Sequence, residues 1–590
     1  MKLTDYVAHF IAHQDVKHAF VLQGGAALHL IDSIEKHSAL IAVAMQHEQA
    51  SAMAADGYAR AGKKLGVTIS TSGPGATNLL TGIACSYFDS VPTLHITGNV
   101  ASFRQSDDLG VRQYGFQETD IVSMAKPITK YAVRLKSPQD IIDELPKAVE
   151  IAISGRPGPV LIDIPDDFQR EFLQVGEHHF FDVSDNILPP SKKRQVNYQN
   201  IIHDLKKAER PLLIFGAGLL RSRGLERALL FAKKFQLPFL TTWPVKGISD
   251  ANEPLNLGSF GTHSLRGNNI VLQNADFILS IGCRLDSRAT AKLDTFARKA
   301  TLAMVDIDEG EIDKFEKLSR TIHHKLNLSC AQFFDEISQN LEQHSLSLNQ
   351  EKWRSYITFV RKKLNFTPKS PEIGVDPYTA AKFISSQLDK NEIIVVDTGT
   401  CLPLTLVYGE EKVGQRYISS YNNTPMGYAL PAAIGAHFAS GKRITCITGD
   451  GGLQMNVQEL ATVATHQLPI TIWVYNNAGH CMIKQTQDDW LESMYYAADL
   501  NYGLPTLNFT QVANGYHIES TEVKTSEQMH RVKWGADSPF LVELQVSPDF
   551  RYEPIIKYGN PLENMSPLMP QGTIDELMII PSLNKKQSEN

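Results

Sequence analysis

Short runs of β-branched and apolar residues recur along the chain, and each ends in a turn rich in Gly, Asp or Pro. The runs are GVTIS, TLHITG, VLIDIP, PLLIF, FILSIG, LAMVDID, EIIVVD, RITCITG and ITIWVY. Strands of a parallel sheet have this unbroken apolar character when helices cover both faces of the sheet. Ala- and Glu-rich stretches of helical length, such as HEQASAMAADGYARAG, separate the runs. The pattern predicts an α/β chain built from doubly wound parallel sheets.

At 590 residues, the chain is long enough for three or four domains. Two polar stretches interrupt the alternation of strands and helices, DNILPPSKKRQVNYQN from residue 185 and QNLEQHSLSLNQE from residue 339. They predict three domains, at residues 1–185, 186–345 and 370–550. The remainder, 551–590, lacks strand periodicity and is predicted to be an ordered tail that lies over a surface.

Acidic residues outnumber basic ones by 64 to 57, which gives a net charge of −7 and an isoelectric point near 6.3. No local basic patch compensates, so we expect no nucleic acid partner. The first residues, MKLTDYVAHFIAHQD, lack the apolar stretch of a secretion signal, and no apolar run is long enough to span a membrane. The six cysteines include no CxxC pair. We therefore expect a cytoplasmic protein without membrane association, disulfide scaffold or zinc ribbon.

The strongest chemical signature is the triplet Gly449-Asp450-Gly451, which directly follows the apolar run ITCIT. A turn from strand to helix presents N–H groups and a carboxylate at the carboxyl edge of a sheet. After Gly451 come 24 residues and then Asn476-Asn477, which end the run ITIWVY. Asp450 and Asn477 are therefore expected side by side, and such hard oxygen ligands suit Mg²⁺ that also binds phosphate oxygens. A GDG triplet alone is more often an ordinary turn.

The spacing of GDG and NN resembles the signature of thiamine diphosphate enzymes. In that family the metal would be bound by Asp450, Asn477 and the backbone carbonyl of Gly479. Thiamine chemistry also needs a carboxyl group that hydrogen-bonds the aminopyrimidine and moves a proton. Glu48 is the candidate, because it stands at the head of an Ala-rich helix after the apolar run LIAVAM. The alternative interpretation is a glutamate favoured at the N-terminus of the helix by its macrodipole.

Two further segments fit such a coenzyme. TSGPGATN, which ends at Asn78, places glycines at a turn from strand to helix. Met426 is the candidate for the bulky residue that keeps the two coenzyme rings bent, although a lone Met is also a common core filler. The carbonyl of Thr424 is the candidate acceptor for the 4′-amino group. Because Pro425 follows it, we predict an extended conformation at Thr424.

Longer segments carry a resemblance over roughly residues 1–570. They include LQGGAALHLIDSI, HEQASAMAADGYARA, TSGPGATNLLTGIA, GFQETD, SGRPGPVLIDIP and GDGGLQMNVQELAT. Together they resemble the catalytic subunits of the acetolactate (acetohydroxyacid) synthase family. The resemblance implies a pyrimidine-binding N-terminal domain, a central FAD-binding domain and a diphosphate-binding C-terminal domain. It also implies a homodimer or homotetramer in which Glu48 of one chain faces Asp450 of another.

The resemblance further implies roles for individual residues. The catalytic set would be Glu48, Gly25 and Gln117, and the substrate set would be Ala26, Phe116, Met482 and Thr486. The thiamine diphosphate set would be Asn78, Thr424, Met426, Gly449, Gly451, Gly452 and Asn456. The flavin set comes from GAGLLRSRG, FGTHS and GCRLDSRATAKL and the following strand, and would be Gly216, Gly218, His263, Arg284, Arg288 and Asp306. Without the resemblance, GAGLLRSRG fails the GxGxxG spacing and is a plain turn.

Some positions depart from the family pattern on the acceptor side. Thr486 stands where the family usually has Trp, Cys481 replaces a Gly, and Asp166 replaces a Lys. Thr400-Cys401 also stand where the family has Gln-His. A smaller residue enlarges a pocket, and removal of a cation disfavours a 2-ketoacid carboxylate. This pattern, with TQDDW and PLENMSPL, also resembles the flavin-containing relative that attaches a two-carbon branch to a nucleotide-linked keto-sugar, as in yersiniose biosynthesis.

These observations predict a carboligase that decarboxylates pyruvate and transfers a two-carbon unit to a carbonyl acceptor. The acceptor is either a second 2-ketoacid or a nucleotide-linked keto-deoxysugar, and plain decarboxylation or oxidation is a further alternative. A ligand-binding relative without catalysis would have no need of Glu48. A flavin or nicotinamide oxidoreductase would require the dinucleotide motif that GAGLLRSRG lacks.

Overall fold

The computed structural model describes residues 1–62, 64–107, 109–174, 197–343, 350–365, 367, 373–532 and 537–583. These residues form three sheets of six parallel strands, flanked by helices. The prediction of an α/β chain with three doubly wound parallel sheets is confirmed. The predicted domain boundaries near residues 185, 345 and 370 lie outside the described residues. Within these described ranges, no helix has the length and apolar character needed to cross a membrane.

The N-terminal sheet comprises β1 His18–Val21, β2 Ile41–Ala44, β3 Gly66–Ser70, β4 Thr93–Asn99, β5 Tyr131–Arg134 and β6 Val160–Pro165. The strands lie in the order β2-β1-β3-β4-β6-β5. The helices of this domain are α1 Leu3–His13, α2 Leu28–Lys36, α3 Glu48–Gly62, α4 Pro74–Asn78, α5 Leu80–Phe88, α6 Ile121–Ala125 and α7 Ile141–Ile153. The strand order reverses between β1 and β3, so the loops after these strands border a crevice at the carboxyl edge of the sheet.

The central sheet comprises β7 Pro211–Phe215, β8 Phe239–Thr241, β9 Asn256–Ser259, β10 Phe277–Ile281, β11 Thr301–Asp306 and β12 His324–Asn327. Its order, β9-β8-β7-β10-β11-β12, is that of doubly wound folds that bind dinucleotides. The helices are α8 Tyr198–Lys207, α9 Gly218–Arg221, α10 Leu225–Phe235, α11 Arg266–Asn274, α12 Ser287–Thr290, α13 Glu309–Asp313, α14 Cys330–Gln343 and α15 Glu351–Lys363. The crevice of this sheet lies between β7 and β10.

The C-terminal sheet comprises β13 Ile393–Val396, β14 Arg416–Ile418, β15 Ile444–Gly449, β16 Ile470–Asn476, β17 Glu519–Val523 and β18 Phe540–Gln545. Its order, β14-β13-β15-β16-β18-β17, repeats that of the first sheet. The helices are α16 Pro377–Gln387, α17 Cys401–Pro403, α18 Ala429–Ser440, α19 Asp450–Met455, α20 Leu460–Thr465, α21 Cys481–Trp490 and α22 Phe509–Gly515. The equivalent crevice therefore lies between β13 and β15.

The chain after β18 returns to the central domain and carries helix α23 Gln571–Leu577. Apolar residues of this tail join the buried core of the central sheet, among them Ile556, Leu562, Met565 and Leu577. The same tail contacts α21, because the side-chain amide of Gln485 donates to the carbonyl of Tyr552 at 2.8 Å. The tail thus connects the central domain to a helix of the C-terminal domain.

Helices α3 and α18 join the first and third domains in one apolar core. They cross closely, since a Cβ atom on Gly57 would lie 2.2 Å from the carbonyl oxygen of Ala432. Next to this crossing, the fully buried carboxylate of Asp56 accepts hydrogen bonds from Arg60 and Ser86, and from the hydroxyl of Tyr428 in the other domain. The position of α3 is therefore set by the C-terminal domain as well as by its own sheet.

Candidate active site

Asp450 and Asn477 lie together at the carboxyl edge of the C-terminal sheet. β15 ends directly before Asp450, and its neighbour β16 ends directly before Asn477. The Asp450 carboxylate accepts from the backbone N–H groups of Gly451 and Gly479, both at 2.9 Å. Burial nevertheless raises the pKa of Asp450 to about 6. The side-chain oxygen of Asn477 is buried and has no hydrogen-bond partner among the described residues.

These features fit a divalent cation. A buried carboxylate and an amide oxygen without a donor are both stabilised by a hard cation such as Mg²⁺. Ala478 has a φ of 52°, and this turn places Gly479 next to Asp450. The described residues contain no cluster of three His, Cys, Asp or Glu side chains that could hold a metal. The set Asp450, Asn477 and Gly479 carbonyl is thus the one we assign to Mg²⁺, and it stays a prediction.

The loop before α18 packs against the GDG turn. A Cβ atom on Gly451 would lie 2.7 Å from the terminal methyl of Met426, so this side chain reaches the turn that follows β15. The extended conformation predicted for Thr424 is wrong, because its φ is 48°. Pro425 disfavours only the right-handed helical region at the preceding residue, and the loop adopts the left-handed one instead. Such strain in a non-glycine residue persists where the surrounding structure imposes it.

Asp397, which the sequence did not single out, imposes this geometry. It follows β13, is 1% exposed, and accepts from the backbone N–H of Gly427 at 3.1 Å and from the hydroxyl of Thr448 at 3.0 Å. A Cβ atom on Gly452 would lie 2.9 Å from this carboxylate. From the opposite side, the Asn456 amide donates to the Gly427 carbonyl at 2.8 Å. Gly449, the last residue of β15, completes this wall of the crevice.

Glu48 is the first residue of α3 and is 7% exposed. Its carboxylate accepts from the side-chain amide of Asn78 at 3.0 Å. A Cβ atom on Gly75 would lie 3.3 Å from the same carboxylate, so the TSGPG turn after β3 borders it directly. The structure therefore brings two of the predicted residues, Glu48 and Asn78, into one hydrogen-bonded pair at the crevice of the N-terminal sheet.

The predicted residues Gly25 and Ala26 lie across this crevice, in the turn after β1. The Ala26 N–H donates to the hydroxyl of Thr71 at 3.1 Å, and its carbonyl accepts from the Gln169 amide at 2.7 Å. Gly25 is exposed, and a Cβ atom there would meet nothing within 4 Å. Gly25 thus leaves open space beside the Glu48 turn.

Phe116 and Gln117 lie on a loop that one carboxylate organises. Glu118 accepts from the N–H groups of Ser106, Tyr114 and Gly115. Burial raises the pKa of Glu118, but these hydrogen bonds outweigh it and the net pKa is lowered. Gln117 has a φ of 64° and packs against the TSGPG turn, whereas the ring of Phe116 is 85% exposed. Gln117 therefore joins the Glu48 crevice, and Phe116 points away from this chain.

Comparison with known proteins agrees with this geometry. Three family models match: the N-terminal TPP binding domain of thiamine pyrophosphate enzymes at residues 1–124, their central domain at 198–333, and their C-terminal TPP binding domain at 397–544. An acetolactate synthase large subunit of Cyanidium caldarium is 33% identical over 94% of this chain and 95% of its own length.

Two further relatives align over nearly their whole length. A probable acetolactate synthase large subunit of Methanococcus aeolicus is 30% identical over 98% of this chain and 97% of its own. The large subunit of acetolactate synthase isozyme 2 of Escherichia coli (strain K12) is 30% identical over 98% of this chain and 99% of its own length. The chain belongs to the acetolactate synthase family. It is therefore a thiamine diphosphate-dependent enzyme that forms carbon–carbon bonds.

Two residues predicted to contact the substrate, Met482 and Thr486, lie on α21, which begins two residues after Gly479. Met482 is half-buried and Thr486 is exposed, one turn apart on the same face, and the Thr486 hydroxyl donates to the Met482 carbonyl at 3.1 Å. The opposite face holds the tail, since the thiol of Cys481 donates to the Phe550 carbonyl at 3.0 Å. Thr486 thus presents a small polar side chain on the open face of the helix.

Asp166 lies after β6, at the carboxyl edge of the N-terminal sheet. Its backbone N–H donates to the Asn99 carbonyl at 3.0 Å, and one of its carboxylate oxygens is buried without a hydrogen-bond partner in the described ranges. Thr400 and Cys401 are both buried at the start of α17, where the Cys401 thiol donates to the Asp397 carbonyl at 3.3 Å. The Thr400-Cys401 pair therefore packs against Asp397, the residue that organises the loop with Thr424 and Met426.

The central domain gathers the predicted flavin residues at its own carboxyl edge. Gly216 follows β7, and a Cβ atom there would lie 2.2 Å from the Gly282 carbonyl, so this glycine is required by close packing of two turns. The backbone N–H of Gly218 donates to the same Gly282 carbonyl at 2.9 Å. Asp306 ends β11, and burial raises its pKa to about 6. These three positions border the crevice between β7 and β10.

Four basic side chains lie in the segments that follow β7, β9 and β10. The Arg284 guanidinium donates to Asn422 of the C-terminal domain at 2.6 Å, and the Arg288 guanidinium lies 4.3 Å from the centre of the Trp243 ring. One ring nitrogen of His263 is buried without a partner, and burial beside Arg288 lowers the pKa of His263 to about 3. Arg221, which the sequence did not single out, has no hydrogen bond or ion pair in the described part of the chain, and burial lowers its pKa to about 10. The unpaired guanidinium of Arg221 and the unpartnered ring nitrogen of His263 fit an anionic dinucleotide.

Glu48 and Asp450, the two residues predicted to act on the coenzyme, make different contacts in this chain. Among the described residues, the Glu48 carboxylate contacts the Asn78 turn, whereas Asp450 contacts Gly451 and Gly479. Within the described residues, no hydrogen bond or ion pair joins Glu48 to Asp450. Each predicted residue therefore belongs to its own set of contacts within the described residues.

Proposed function

We propose that this enzyme decarboxylates pyruvate and transfers the two-carbon unit to a carbonyl acceptor. The observation that carries the proposal is the clamp of the buried Asp450 carboxylate and the unpartnered Asn477 oxygen on neighbouring strands. The relatives are named for the synthesis of acetolactate. The first acceptor we propose is therefore a second 2-ketoacid molecule.

Different residues of this chain would bind the metal, transfer the proton and hold the coenzyme in its bent conformation. When bound, thiamine diphosphate supplies the electron sink for the carbon that loses CO₂. Asp450, Asn477 and the Gly479 carbonyl would hold Mg²⁺ and, through it, the diphosphate. Glu48 would hold and move a proton at the pyrimidine, with Asn78 fixing the direction of its carboxylate. Met426, supported by the loop that Asp397 organises, would keep the coenzyme bent.

FAD is the ligand we propose for the central crevice. The strand order of the sheet, the unpartnered ring nitrogen of His263 and the unpaired guanidinium of Arg221 support it. Arg284 and Arg288 would add charge-assisted hydrogen bonds to the diphosphate. The test is the absorption spectrum of the purified protein: a bound flavin is expected, and an Arg288→Ala variant should retain less of it.

We propose that the active enzyme is a homo-oligomer whose sites lie between chains. An exposed apolar surface on the Glu118 loop, near Glu48, supports this; it consists of Phe103, Leu109, Val111, Tyr114 and Phe116. A second copy would bring its Asp450 to this surface. Sedimentation at several concentrations should show a dimer or tetramer, and a catalytically active monomer would refute the shared site.

A nucleotide-linked keto-deoxysugar is the second candidate acceptor. Two observations favour it: the exposed Thr486 in place of a large aromatic residue, and the buried Asp166 oxygen that lacks a donor. A carboxylate there repels the carboxylate of a 2-ketoacid, whereas a sugar hydroxyl would donate to it. Asp166 therefore favours an acceptor that places a hydroxyl, rather than a carboxylate, at this position.

Product analysis decides between the acceptors. The enzyme is incubated with Mg²⁺, thiamine diphosphate and pyruvate, with and without a nucleotide-linked keto-sugar, and the products are identified by mass spectrometry. Acetolactate in both samples supports the 2-ketoacid acceptor, and a two-carbon adduct of the sugar supports the second candidate. Release of CO₂ without either product indicates plain decarboxylation, and no consumption of pyruvate refutes the proposed donor.

A further inference from the structure

A residue of the C-terminal domain holds the backbone turn that precedes Glu48. Glu459 ends the short 3₁₀ turn Val457–Glu459 and is 0% exposed. Its carboxylate accepts from the backbone N–H of Gln46 at 3.0 Å and from the Thr462 hydroxyl at 2.9 Å. A backbone hydrogen bond from His47 reaches the same carboxylate. One buried side chain thus fixes two consecutive backbone groups of another domain.

This arrangement costs free energy of desolvation. Burial raises the pKa of Glu459 to about 7, and the hydrogen bonds from Thr462, Gln46 and His47 only partly offset that effect. A buried carboxyl group is tolerated where its partners satisfy it, and here two of the partners belong to the Gln46–His47 turn. The contact therefore specifies the position of that turn.

The position of this turn determines where Glu48 stands. α3 begins at Glu48, directly after His47, and the His47 carbonyl accepts the first helical hydrogen bond, from the N–H of Ser51 at 3.0 Å. The Glu48 side chain is held independently by Asn78 at 3.0 Å. Glu48 is thus fixed at its backbone side by Glu459 and at its carboxylate by Asn78.

The segment that carries Glu459 also contacts the loop that carries Thr424 and Met426, which we assign to the coenzyme. Asn456, three residues earlier, donates to the Gly427 carbonyl at 2.8 Å, next to Met426. A single turn of chain, residues 456–459, therefore contacts the loop assigned to the coenzyme of this chain and the turn before Glu48, which in the proposed oligomer serves the coenzyme of another chain.

We propose that Glu459 is a positioning residue that aims Glu48 at the pyrimidine of the coenzyme, an inference that rests on the role of Glu48 in the proposed function. Glu459 does not itself reach the reacting atoms. It acts by holding the Gln46–His47 turn, and misplacement of an acid by about 1 Å can cost about a hundredfold in rate.

The test compares Glu459→Ala with Glu459→Gln and with a matched control, Glu411→Ala. Glu411 is also buried, at 6% exposed, and accepts from a backbone N–H of another domain, that of Gly247 at 3.1 Å. Three quantities are measured on the full chain: amide hydrogen exchange at residues 46–47 without coenzyme, the Kd of thiamine diphosphate, and kcat for CO₂ release from pyruvate.

We expect Glu459→Ala to accelerate exchange at residues 46–47 and to lower kcat by about a hundredfold, with the Kd of the coenzyme nearly unchanged. Glu459→Gln keeps a carbonyl oxygen for the Gln46 N–H and should recover most of kcat. Glu411→Ala should change neither the exchange at residues 46–47 nor kcat. If Glu459→Ala does not fold, Glu459→Asp, which withdraws the carboxylate by one methylene, must show the same losses.

Wild-type kcat in a folded Glu459→Ala or Glu459→Asp variant overturns the proposal, as does an equal loss of kcat in Glu411→Ala. Unchanged exchange at residues 46–47 in the alanine variant also overturns it, because the turn would then be held by other contacts. If the wild-type enzyme releases no CO₂ from pyruvate, the proposed function fails instead. The exchange measurement still reports whether Glu459 holds the turn.

Discussion

The first and third sheets have the same strand order, and they also repeat one buried contact. At the end of β4, the Asn99 amide donates to Asp163 on the neighbouring strand β6 at 2.6 Å. At the end of β16, the Asn476 amide donates to Glu543 on β18, also at 2.6 Å. In both sheets the asparagine lies opposite the residue two places after the acid. The two domains are thus built on one scaffold, down to a polar pair inside the sheet.

The difference between them lies in the residues that follow these strands. After Asn99 comes Val100, which is buried and apolar, whereas after Asn476 comes Asn477 with its unpartnered oxygen. The first domain carries its chemistry on a helix instead, as Glu48 at the start of α3. Single residues at strand and helix ends thus distinguish an acid-bearing half, with the proposed proton-transferring Glu48, from a metal-binding half, with the proposed Mg²⁺ ligands.

Among the substitutions that test this difference between the two domains, Asp450→Ala should have the largest effect. Because it removes the charged ligand of the C-terminal half and leaves the N-terminal half intact, we expect no measurable turnover and no Mg²⁺-dependent binding of thiamine diphosphate. Calorimetric titration with the coenzyme, with and without Mg²⁺, measures this. Coenzyme binding of wild-type strength would contradict the assignment of the metal site.

Glu48→Gln removes the proposed proton-transferring group of the N-terminal half. We expect CO₂ release from pyruvate to fall by about 10²–10⁴-fold, because the amide cannot exchange a proton with the pyrimidine. The Kd of the coenzyme should change little, since the diphosphate is held by the other domain. Steady-state CO₂ release and the same calorimetric titration check this, and an active variant would remove Glu48 from the mechanism.

The repeated polar pair provides a matched comparison of the two scaffolds. Asn99→Ala and Asn476→Ala each leave a buried acid short of one donor, and each should cost about 1–3 kcal/mol of stability. In addition, the side-chain oxygen of Asn476 accepts from the backbone N–H of Ala478 at 3.1 Å and so shapes the turn assigned to the metal. We expect Asn476→Ala alone to weaken Mg²⁺ binding, by about 10–100-fold. Thermal unfolding and Mg²⁺ titration separate the two effects, and equal metal affinities would show that the pair is purely structural.

Thr486→Trp probes the acceptor side of the metal-binding half. A large ring on the open face of α21 reduces the space beside Met482, so preference should move toward small 2-ketoacids by about tenfold. The ratio of acceptors in competition, read by mass spectrometry, is the measurement. An unchanged ratio means that this face of the helix does not contact the acceptor.

The smallest expected effect on catalysis belongs to Asp163→Asn in the acid-bearing half. Burial raises the pKa of Asp163 to about 6, although hydrogen bonds from Thr97 and Asn99 lower it in part. A raised folded-state pKa means that the wild type loses stability as pH rises through about 6. The Tm of the variant relative to wild type should therefore rise by a few degrees between about pH 4 and pH 6, and stay level above that range. A pH-independent difference in Tm would show that Asp163 does not titrate in this range.

Sequence patterns predicted nine strands, most of them long and buried, but missed the buried six-residue strand β18 and most of the short strands. The nine apolar runs correspond to β3, β4, β6, β7, β10, β11, β13, β15 and β16. Several strands without such a run, such as β2 and β5, lie at sheet edges, where partial exposure permits polar residues. Thr424 was predicted extended and is left-handed, because Asp397, about thirty places earlier, fixes the N–H of Gly427. A dipeptide rule has no access to such a distant partner.

By itself, the sequence determined the class of fold and the residue types at the ends of the strands, since burial and turn chemistry are local properties of the chain. It therefore indicated the Asp450–Asn477 clamp and Glu48 as candidates. Only the tertiary structure decided which groups lack partners and which domains hold each other. The unpartnered oxygen of Asn477 and the grip of Glu459 on the turn before Glu48 depend on strands and helices that meet across hundreds of residues, and no local pattern encodes such contacts.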